Sequence, residues 1–308
     1  MSVLKLKELE KVLEIIESGH PCAVPTETVY GLAASIGNPL AIRQIFALKE
    51  RPINHPLIIH ASSIEMASRY AVFTEQAMAI GQRFWPGPLT LILPKRDTVP
   101  NEVTGGLSTV GIRIPAHPLT RELIEKHGTP LAAPSANKFG KTSPTCADHI
   151  LLDHAHTVPV LDGGSCPIGV ESTILDLSVQ PPSIRRLGAI GQSDLSMFIE
   201  IFGESHTPTS GTHKAHYAPS TSLLLSEDLE KDQTRLKAQG LSIAILPLVD
   251  SETYAHILYS KLRELDALGV DILIAERPNN DTLGRAILDR LHRASIGSQR
   301  TLSRDRNI

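Results

Sequence analysis

The 308-residue chain has few of the residue types that mark several classes of protein. Its three cysteines, Cys22, Cys146 and Cys166, form no CxxC pair, so they predict free thiols in a reducing compartment and no disulfide framework. Aromatic residues account for only 4%, which excludes a general surface for stacking on nucleic-acid bases. With a formal net charge of -3, the chain is unsuited to holding a long RNA by bulk charge, so any tRNA contact has to be local and weak.

Long apolar segments and several well-known motifs are missing as well. No apolar run reaches the roughly 18 residues of a membrane span, and charged residues interrupt any apolar core of a signal peptide near the N-terminus. We therefore expect a cytoplasmic protein with no membrane contact. The patterns GxxxxGK[ST], GxGxxG and GxSxG do not occur, which argues against a P-loop, a dinucleotide domain and a nucleophile elbow.

Helix and strand patterns alternate along the rest of the chain, in which 41% of residues are hydrophobic and 20% are charged. Residues 1-202 predict one α/β domain with long functional loops. Residues 203-220 lack apolar periodicity and are rich in Ser, Thr, His, Gly and Pro, which predicts an interdomain linker. Residues 221-308 repeat strand and helix three times, which predicts a small Rossmann-like, three-layer α/β domain with a parallel sheet.

Local signals place several helix ends. Asn38-Pro39 predicts the start of a helix that ends near Leu48, with Asn as the cap and Pro in the first turn. Ser62 with Glu65 forms a capping-box pattern that predicts the start of the next helix. The last helix is predicted over about residues 281–294.

Two further stretches are predicted to be strands. VPVLDGG, residues 158–164, has the apolar composition of a short strand. In TVGIRIP, residues 109–115, apolar and other residues alternate cleanly. Thr109 and Arg113 therefore share one face, about 13 Å apart if the strand is fully extended.

KERPINHPLIIH, residues 49–60, concentrates positive charge before a strand that is predicted to be buried. Its prolines stiffen the loop, which reduces the entropy cost of holding Lys49 and Arg51 in place. Arginine as a planar fork and lysine as a point charge are suited to a polyphosphate. The alternative interpretation is a solvated basic loop, which is what charge runs usually are.

Three other stretches combine glycine with hydroxyl or charged residues and a fourth is a pair of arginines; for the first of them, ordinary turn chemistry is the alternative. They are PTETVYGL at 25–32, PSANKFGKTSPT at 134–145, DGGSCPIGVEST at 162–173 and Arg185-Arg186. A fifth, HKAHYAP, lies in the linker, where His213 and His216 lack the partners of a metal site, so no metal ligand is expected. Together these stretches predict a site for a nucleoside triphosphate and a small polar molecule, acting by positioning and charge neutralisation.

PTETVYGL, K-x-RP, HPLIIH, TVGIRIPAHP, APSAN, SPT, GVESTI, RRLGAI and GTHKAHYAP resemble, in this order, the two-domain L-threonylcarbamoyladenylate synthases. The resemblance covers about residues 10–219 and implies a YrdC-like, twisted mixed-sheet catalytic domain. It further implies that L-threonine, bicarbonate and ATP form threonylcarbamoyl-AMP with release of pyrophosphate. Mg²⁺ is expected to arrive with ATP, and other proteins are expected to transfer the group to a tRNA adenosine beside the anticodon.

The resemblance also implies the site residues. Lys49 and Arg51 are expected to act catalytically on the triphosphate. The residues expected to bind L-threonine are Thr28, His60, Arg113, Ala133 and Ser172. The residues expected to bind ATP are Arg51, His55, Thr109, Ser135, Ser143, Arg186 and Tyr217.

This chain departs from the family pattern at two positions. His55 stands where the family usually has Asn before PLI, and Phe139 replaces a position that is commonly Ser. We expect the His55 imidazole to hydrogen-bond a phosphate or ribose, with a protonation state that varies near neutral pH. The HKAHYAP segment is expected to fold over the mouth of the first domain as a lid that excludes water.

Two alternative functions remain open at this stage. One is a module that binds tRNA or double-stranded RNA without catalysis, since Arg290, Arg293, Arg300, Arg304 and Arg306 make the C-terminal region basic. The other is a carbamoyl- or acyl-transferring enzyme of related fold that uses a different amine. Physical reasoning from the residues does not select the amino-acid side chain, so the preference for threonine comes from the resemblance alone.

Overall fold

The computed structural model describes residues 3–200 and 215–304. Most of the predicted linker, including His213, lies outside this part of the chain, as does Arg306. The described residues form helices and strands in alternation, as the sequence predicts. The helices are α1 (Val3–Glu17), α2 (Pro39–Lys49), α3 (Ile64–Ser68), α4 (Glu75–Phe84), α5 (Asn101–Thr104), α6 (Pro118–His127), α7 (Ala147–Asp153), α8 (Gln192–Leu195), α9 (Leu229–Ala238), α10 (Ser251–Asp266) and α11 (Thr282–Arg304).

The strands form two separate sheets. They are β1 (Cys22–Val24), β2 (Gly31–Ser35), β3 (Ile58–His60), β4 (Leu89–Pro94), β5 (Thr109–Arg113), β6 (Leu131–Ala132), β7 (Thr173–Asp176), β8 (Ser183–Arg186), β9 (Ser222–Ser226), β10 (Ile243–Leu246) and β11 (Ile272–Glu276). The larger sheet has the order β1-β2-β6-β3-β5-β4-β7-β8. It is mixed, because β3 pairs with β5 and β4 with β7 in parallel while its other named pairs are antiparallel.

The smaller sheet is wholly parallel, with the order β10-β11-β9. It confirms the small parallel α/β layer that the three strand–helix repeats predict. The last strand in sequence lies in the centre, which differs from the order of the dinucleotide-binding fold. This order agrees with the absence of a GxGxxG turn from the sequence.

Capping explains several boundaries. The Asn38 side chain accepts hydrogen bonds from the amides of Leu40 and Ala41 at the start of α2, as predicted. The predicted capping box at Ser62 is wrong by one residue, because the cap of α3 is Ser63. Its hydroxyl accepts the Met66 amide at 3.1 Å.

Two other element predictions are wrong. Residues 158–164 form no named strand and only Val160 bridges to Ala23, because Pro159 has no N–H to donate to a ladder. Helix α11 continues ten residues beyond the predicted end at 294. Gly297, which can signal a helix end, instead lies inside α11, where a Cβ would come within 2.7 Å of the Ala218 Cβ.

The hydrophobic core of the small domain extends into the first one. Its cluster of buried residues is centred on α10, α11 and the small sheet, yet it includes Val29 and Val170 from the first domain. It also includes Tyr217, from the described end of the predicted linker. The domains therefore pack on each other through a continuous apolar contact, and the loops that hold Val29 and Val170 lie at this contact.

Two other features are absent from the described parts of the chain. None of their helices combines the length and apolarity that a membrane span requires. Among those same residues, no three His, Cys, Asp or Glu side chains are grouped so that they could hold a metal ion.

Candidate functional site

A polar pocket opens beside the central strands of the large sheet, where several of the predicted loops meet. Fourteen of its lining residues come from the loops and strand ends that the sequence indicates, and two come from the end of the linker. The lining residues are Thr26, Thr28, Val29, Gly31, Arg51, Ile58, His60, Arg113, Ala133, Pro134, Ser135, Glu171, Ser172, Arg186, His216 and Tyr217. Nine predicted site residues are therefore brought together, and four are not.

One end of the pocket is built on the paired strands β3 and β5, whose register places His60 opposite Arg113. The Arg113 guanidinium donates to the Thr28 hydroxyl at 2.9 Å and to the Gly87 carbonyl at 3.1 Å. It also forms a buried ion pair with Glu27 at 2.6 Å. Because its donors are fixed on three sides, Arg113 presents a positioned cation to a small anion such as a carboxylate.

His60 contributes a neutral ring to the same end. Burial and the neighbouring Arg113 lower the pKa of His60 to about 3. Its Nδ1 has no hydrogen-bond partner among the described residues although it is buried. A neutral imidazole can accept or donate one hydrogen bond at Nδ1, which suits a polar ligand in the pocket.

The other end of the pocket holds two arginines. Arg186 donates from Nε to the Ser172 carbonyl at 2.9 Å and from Nη2 to the Ser172 hydroxyl at 3.0 Å. Arg51 donates from Nη2 to the Pro56 carbonyl at 2.9 Å. Burial and the charge of Arg186 lower the pKa of Arg51 to about 10, so the Arg51 guanidinium remains charged at neutral pH.

Lys49 does not line the pocket. It is 1% exposed, and its ammonium donates to the carbonyls of Ser135 and Asn137 at 2.5 and 2.7 Å. Burial and the charge of Arg51 hold the pKa of Lys49 well below its ordinary value. This geometry gives Lys49 a positioning role for the 134–145 loop and differs from the predicted catalytic contact with a triphosphate.

Three of the residues predicted to bind ATP also lie outside the lining. The Ser143 hydroxyl donates to the Glu171 carboxylate at 2.6 Å and is fully buried. Thr109 lies at the opposite end of β5 from Arg113, paired with Pro94 of β4. The predicted shared face therefore does not place Thr109 in the pocket.

His55 is the third, and it packs against the chain's other departure from the family pattern. The rings of His55 and Phe139 are 5.6 Å apart between centroids. Phe139 in turn lies 5.9 Å from the His216 ring and 6.0 Å from the Arg51 guanidinium carbon. The two departures thus form one ring contact next to Arg51.

The described end of the linker closes one side of the pocket. The Ala218 amide donates to the Gly140 carbonyl at 2.8 Å, and Lys141 bridges to Ala218. Tyr217 is 1% exposed and has a left-handed φ of 61°. Such a conformation is costly for a residue with a Cβ and indicates that the surrounding contacts hold it.

The sequence reasoning missed some site residues. Glu171 of GVEST lines the pocket and is 4% exposed, and Thr26 and His216 line it as well. Asn137 is buried beneath the loop that Lys49 holds, and its amide donates to the carbonyls of Lys138 and Lys141. All four lie within the stretches that were singled out, but only the fold shows which of their side chains point inward.

Two of the basic residues of α11, Arg290 and Arg293, are engaged in ion pairs within the protein. Arg290 is 1% exposed, and its Nε donates to Glu171 at 3.0 Å. Arg293 pairs with Asp289 at 2.9 Å. Arg290 is therefore not available to an RNA phosphate, which removes one support of the RNA-binding alternative.

Comparison with known proteins matches both parts of the chain to family models. Residues 14–188 match the family model of Sua5, YciO and YrdC, described as telomere recombination. Residues 183–295 match the C-terminal domain of threonylcarbamoyl-AMP synthase. The two matches together cover both domains of the chain.

Individual relatives agree with the family models. The threonylcarbamoyl-AMP synthase of Pyrococcus abyssi is 38% identical over 311 residues, which cover 91% of this chain and 92% of the relative. The enzyme of the same name from Bacillus subtilis is 35% identical, with 94% and 93% coverage. The structure of P. abyssi Sua5 complexed with L-threonine matches with a TM-score of 0.86, 36% identity and 94% coverage of each chain.

Proposed function

The chain belongs to the threonylcarbamoyl-AMP synthase family, and we propose that its pocket binds L-threonine beside ATP and joins them through a bicarbonate-derived carbon. The chain is a nucleotidyltransferase that forms threonylcarbamoyl-AMP. Its product serves the threonylcarbamoyladenosine modification of tRNA, for which further proteins transfer the group from the adenylate to the tRNA.

One observation carries the assignment of ATP. Arg51 and Arg186 line the same pocket, and burial together with the charge of Arg186 lowers the pKa of Arg51. Like charges that are buried together need an anionic partner, and a triphosphate supplies several negative oxygens at once. Among the described residues that line the pocket, Glu171 is the one carboxylate; it accepts a hydrogen bond from Arg290, and its charge also acts on Arg186.

The opposite end fits L-threonine. The carboxylate of the amino acid would face Arg113, and its hydroxyl would find polar partners in Thr28 and His60. The complex of the P. abyssi relative with L-threonine supports L-threonine as a ligand of this fold. Ala133 is small and lies in the pocket wall between β6 and the 134–145 loop, so it leaves room for the side chain.

The chemistry balances with these reactants. The threonine amine combines with bicarbonate to give a carbamate and water. A carbamate oxygen then attacks the α-phosphorus of ATP in line, and pyrophosphate leaves with the P–O bond electrons. Mg²⁺ enters as part of the ATP substrate, and Arg51 stabilises the charge that grows on the leaving phosphates.

The segment 215–220 acts as the lid of this reaction. His216 and Tyr217 line the pocket, and the backbone at Ala218 is hydrogen-bonded to the 134–145 loop. A buried tyrosine beside the reacting groups excludes water, and a mixed anhydride of a carbamate needs such protection from hydrolysis.

Pyrophosphate release tests the proposal. The protein is mixed with ATP and Mg²⁺, and L-threonine and bicarbonate are omitted singly and together. Release that requires both supports the adenylate-forming reaction. Replacing L-threonine with L-serine then tests whether the pocket recognises the threonine methyl group. Release that needs neither, or no release in the complete mixture, would contradict the proposed function and favour the RNA-binding alternative.

A further inference from the structure

A buried carboxylate joins the pocket to the C-terminal domain. Glu171 lines the pocket, and its two oxygens receive three side chains that come from different parts of the chain. Ser143 donates to Oε1 at 2.6 Å, the Tyr259 hydroxyl lies 3.1 and 3.0 Å from the two oxygens, and Arg290 Nε donates to Oε2 at 3.0 Å. Tyr259 belongs to α10 and Arg290 to α11, so two of the three partners are supplied by the C-terminal domain.

The charges at this junction depend on one another. Burial alone would raise the pKa of Glu171, but Arg290 and Arg186 outweigh it and hold the pKa below its ordinary value. Without Arg290, the carboxylate would lose its direct ion pair in a region where an unpaired charge is costly. Glu171 would then either take up a proton or turn toward Arg186, which is the cation left nearby.

Tyr217 depends on the same two residues. Its ring centroid lies 5.7 Å from that of Tyr259, and the Arg290 guanidinium carbon lies 5.4 Å from its centre. Because Tyr217 has a left-handed backbone conformation, its position relies on neighbouring contacts rather than on its own preference. Glu171, Arg186 and Tyr217 all line the pocket, and the charges of Arg290 and Arg186 act on both Glu171 and Tyr217.

A second interdomain ion pair provides a contrast. Arg263 of α10 donates to both oxygens of Asp153 at 2.7 Å and to the Thr142 carbonyl at 2.6 Å. Neither Arg263 nor Asp153 lines the pocket, and both line a separate groove at the outer side of the domain contact. This pair joins the domains and contacts the 134–145 loop at Thr142, but it does not bond Glu171 itself.

We propose that Tyr259 and Arg290 are positioning residues for the nucleotide end of the pocket and that they act through the Glu171 carboxylate. The inference rests on the proposed function for the identity of the nucleotide. It makes the C-terminal domain a structural part of the ATP subsite, in which neither Tyr259 nor Arg290 touches the substrate. The threonine end, which is built on β3 and β5, is independent of these two residues.

The first test compares two tyrosines of α10. Tyr259→Phe removes only the hydroxyl that binds Glu171, whereas Tyr254→Phe removes a buried hydroxyl that has no hydrogen-bond partner among the described residues. Titration calorimetry would measure the affinity for α,β-methylene-ATP and, separately, for L-threonine. We expect Tyr259→Phe to weaken the ATP analogue roughly three- to tenfold and to leave threonine within about twofold, because one hydrogen bond to a charged group is lost. Tyr254→Phe should change neither.

The second test compares two interdomain arginines. Arg290→Gln should weaken the ATP analogue by roughly tenfold or more, and Arg290→Lys should recover part of the loss because it keeps a cation near Glu171. Arg263→Gln, which breaks the outer ion pair, should lower the melting temperature without this selective effect on the nucleotide. If Arg290→Gln does not fold, the comparison of Tyr259→Phe with Tyr254→Phe still tests the inference.

The outcomes separate this inference from the proposed function. If the wild-type protein does not bind the ATP analogue, the nucleotide assignment and the proposed function both fail. If the wild type binds it and Tyr259→Phe binds it equally well, only the present inference is overturned. An equal loss for both ligands in Arg290→Gln, matched by Arg263→Gln, would also overturn it, since that result indicates a general loosening of the domain contact.

Discussion

At the residue scale, Arg51 carries the largest expected effect on the reaction. Arg51 lines the pocket together with Arg186 and donates from Nη2 to the Pro56 carbonyl. We expect Arg51→Ala to reduce kcat/KM by the equivalent of about 2–4 kcal/mol, as for other preorganised electrostatic groups. Steady-state pyrophosphate release would measure it, with Arg43→Ala on the first turns of α2 as a control outside the pocket. A variant whose kcat/KM lies within tenfold of the wild-type value would exclude this role of Arg51.

His60 predicts a pH effect on stability with a defined sign. Its pKa in the fold is about 3, below its ordinary value, so the unfolded chain takes up the proton first as the pH falls. The stability contributed by the neutral ring is therefore present at neutral pH and is lost progressively below about pH 6.5. His60→Gln, which cannot titrate, should lose less stability between pH 7 and pH 5 than wild type. Urea unfolding midpoints at the two pH values would show this, and equal losses would contradict it.

Lys49 shows where residue-level prediction reaches its limit. The KERP stretch contains a lysine and an arginine two residues apart, and the sequence alone predicts both at the phosphates. The helix end directs the Lys49 side chain inward to two carbonyls, while Arg51 lies beyond it at the pocket. We expect Lys49→Met to lower the free energy of unfolding by about 1–3 kcal/mol, because two buried carbonyls lose their donor. Chemical denaturation would test this. If Lys49→Met has wild-type stability, the positioning role is wrong and the predicted catalytic contact of Lys49 is favoured.

At the element scale, local signals were sufficient where the chain supplies its own partner. Asn38 caps α2 with its own side chain, and the alternation in TVGIRIP predicted a real strand. Local signals failed where a distant segment decides the outcome. Gly297 continues α11 because Ala218 packs against it, and that contact spans nearly eighty residues of sequence. The periodicity of apolar residues along a helix does not show which distant residue packs against it.

The loop that precedes Glu171 offers an element-scale prediction. Gly169 has a φ of +83°, and a Cβ there would come within 2.7 Å of the His256 Cα in α10. Gly164 has the same φ of +83° but open space around it. Gly169→Ala should therefore push α10 away and cost more stability than Gly164→Ala, which adds only the backbone penalty of roughly 1 kcal/mol.

Thermal unfolding of the two glycine variants, together with affinity for the ATP analogue, would measure the difference. We expect the nucleotide affinity to fall only in Gly169→Ala, because α10 carries Tyr259. Equal effects at both glycines would mean that the contact between this loop and α10 is not needed by the site.

At the scale of the whole molecule, the two domains share both a core and a site. The sequence divides them at a polar segment, and the second domain has its own sheet and helices. Composition alone could not reveal that Val29 and Val170 complete the second core or that Arg290 bonds Glu171 across the boundary. The site stretches were predictable because they combine glycine, hydroxyl and charged residues, whereas their support from the C-terminal domain depends on packing between distant elements.

The central claim is that one pocket places a bicarbonate-derived carbon between L-threonine and AMP. Mass spectrometry of the product formed from ¹³C-bicarbonate, L-threonine and ATP with Mg²⁺ tests it most directly. The account predicts a compound that contains both threonine and AMP and is heavier by one mass unit than the product from unlabelled bicarbonate. A threonine–AMP adduct without the labelled carbon, which is the direct aminoacyl adenylate, would contradict it.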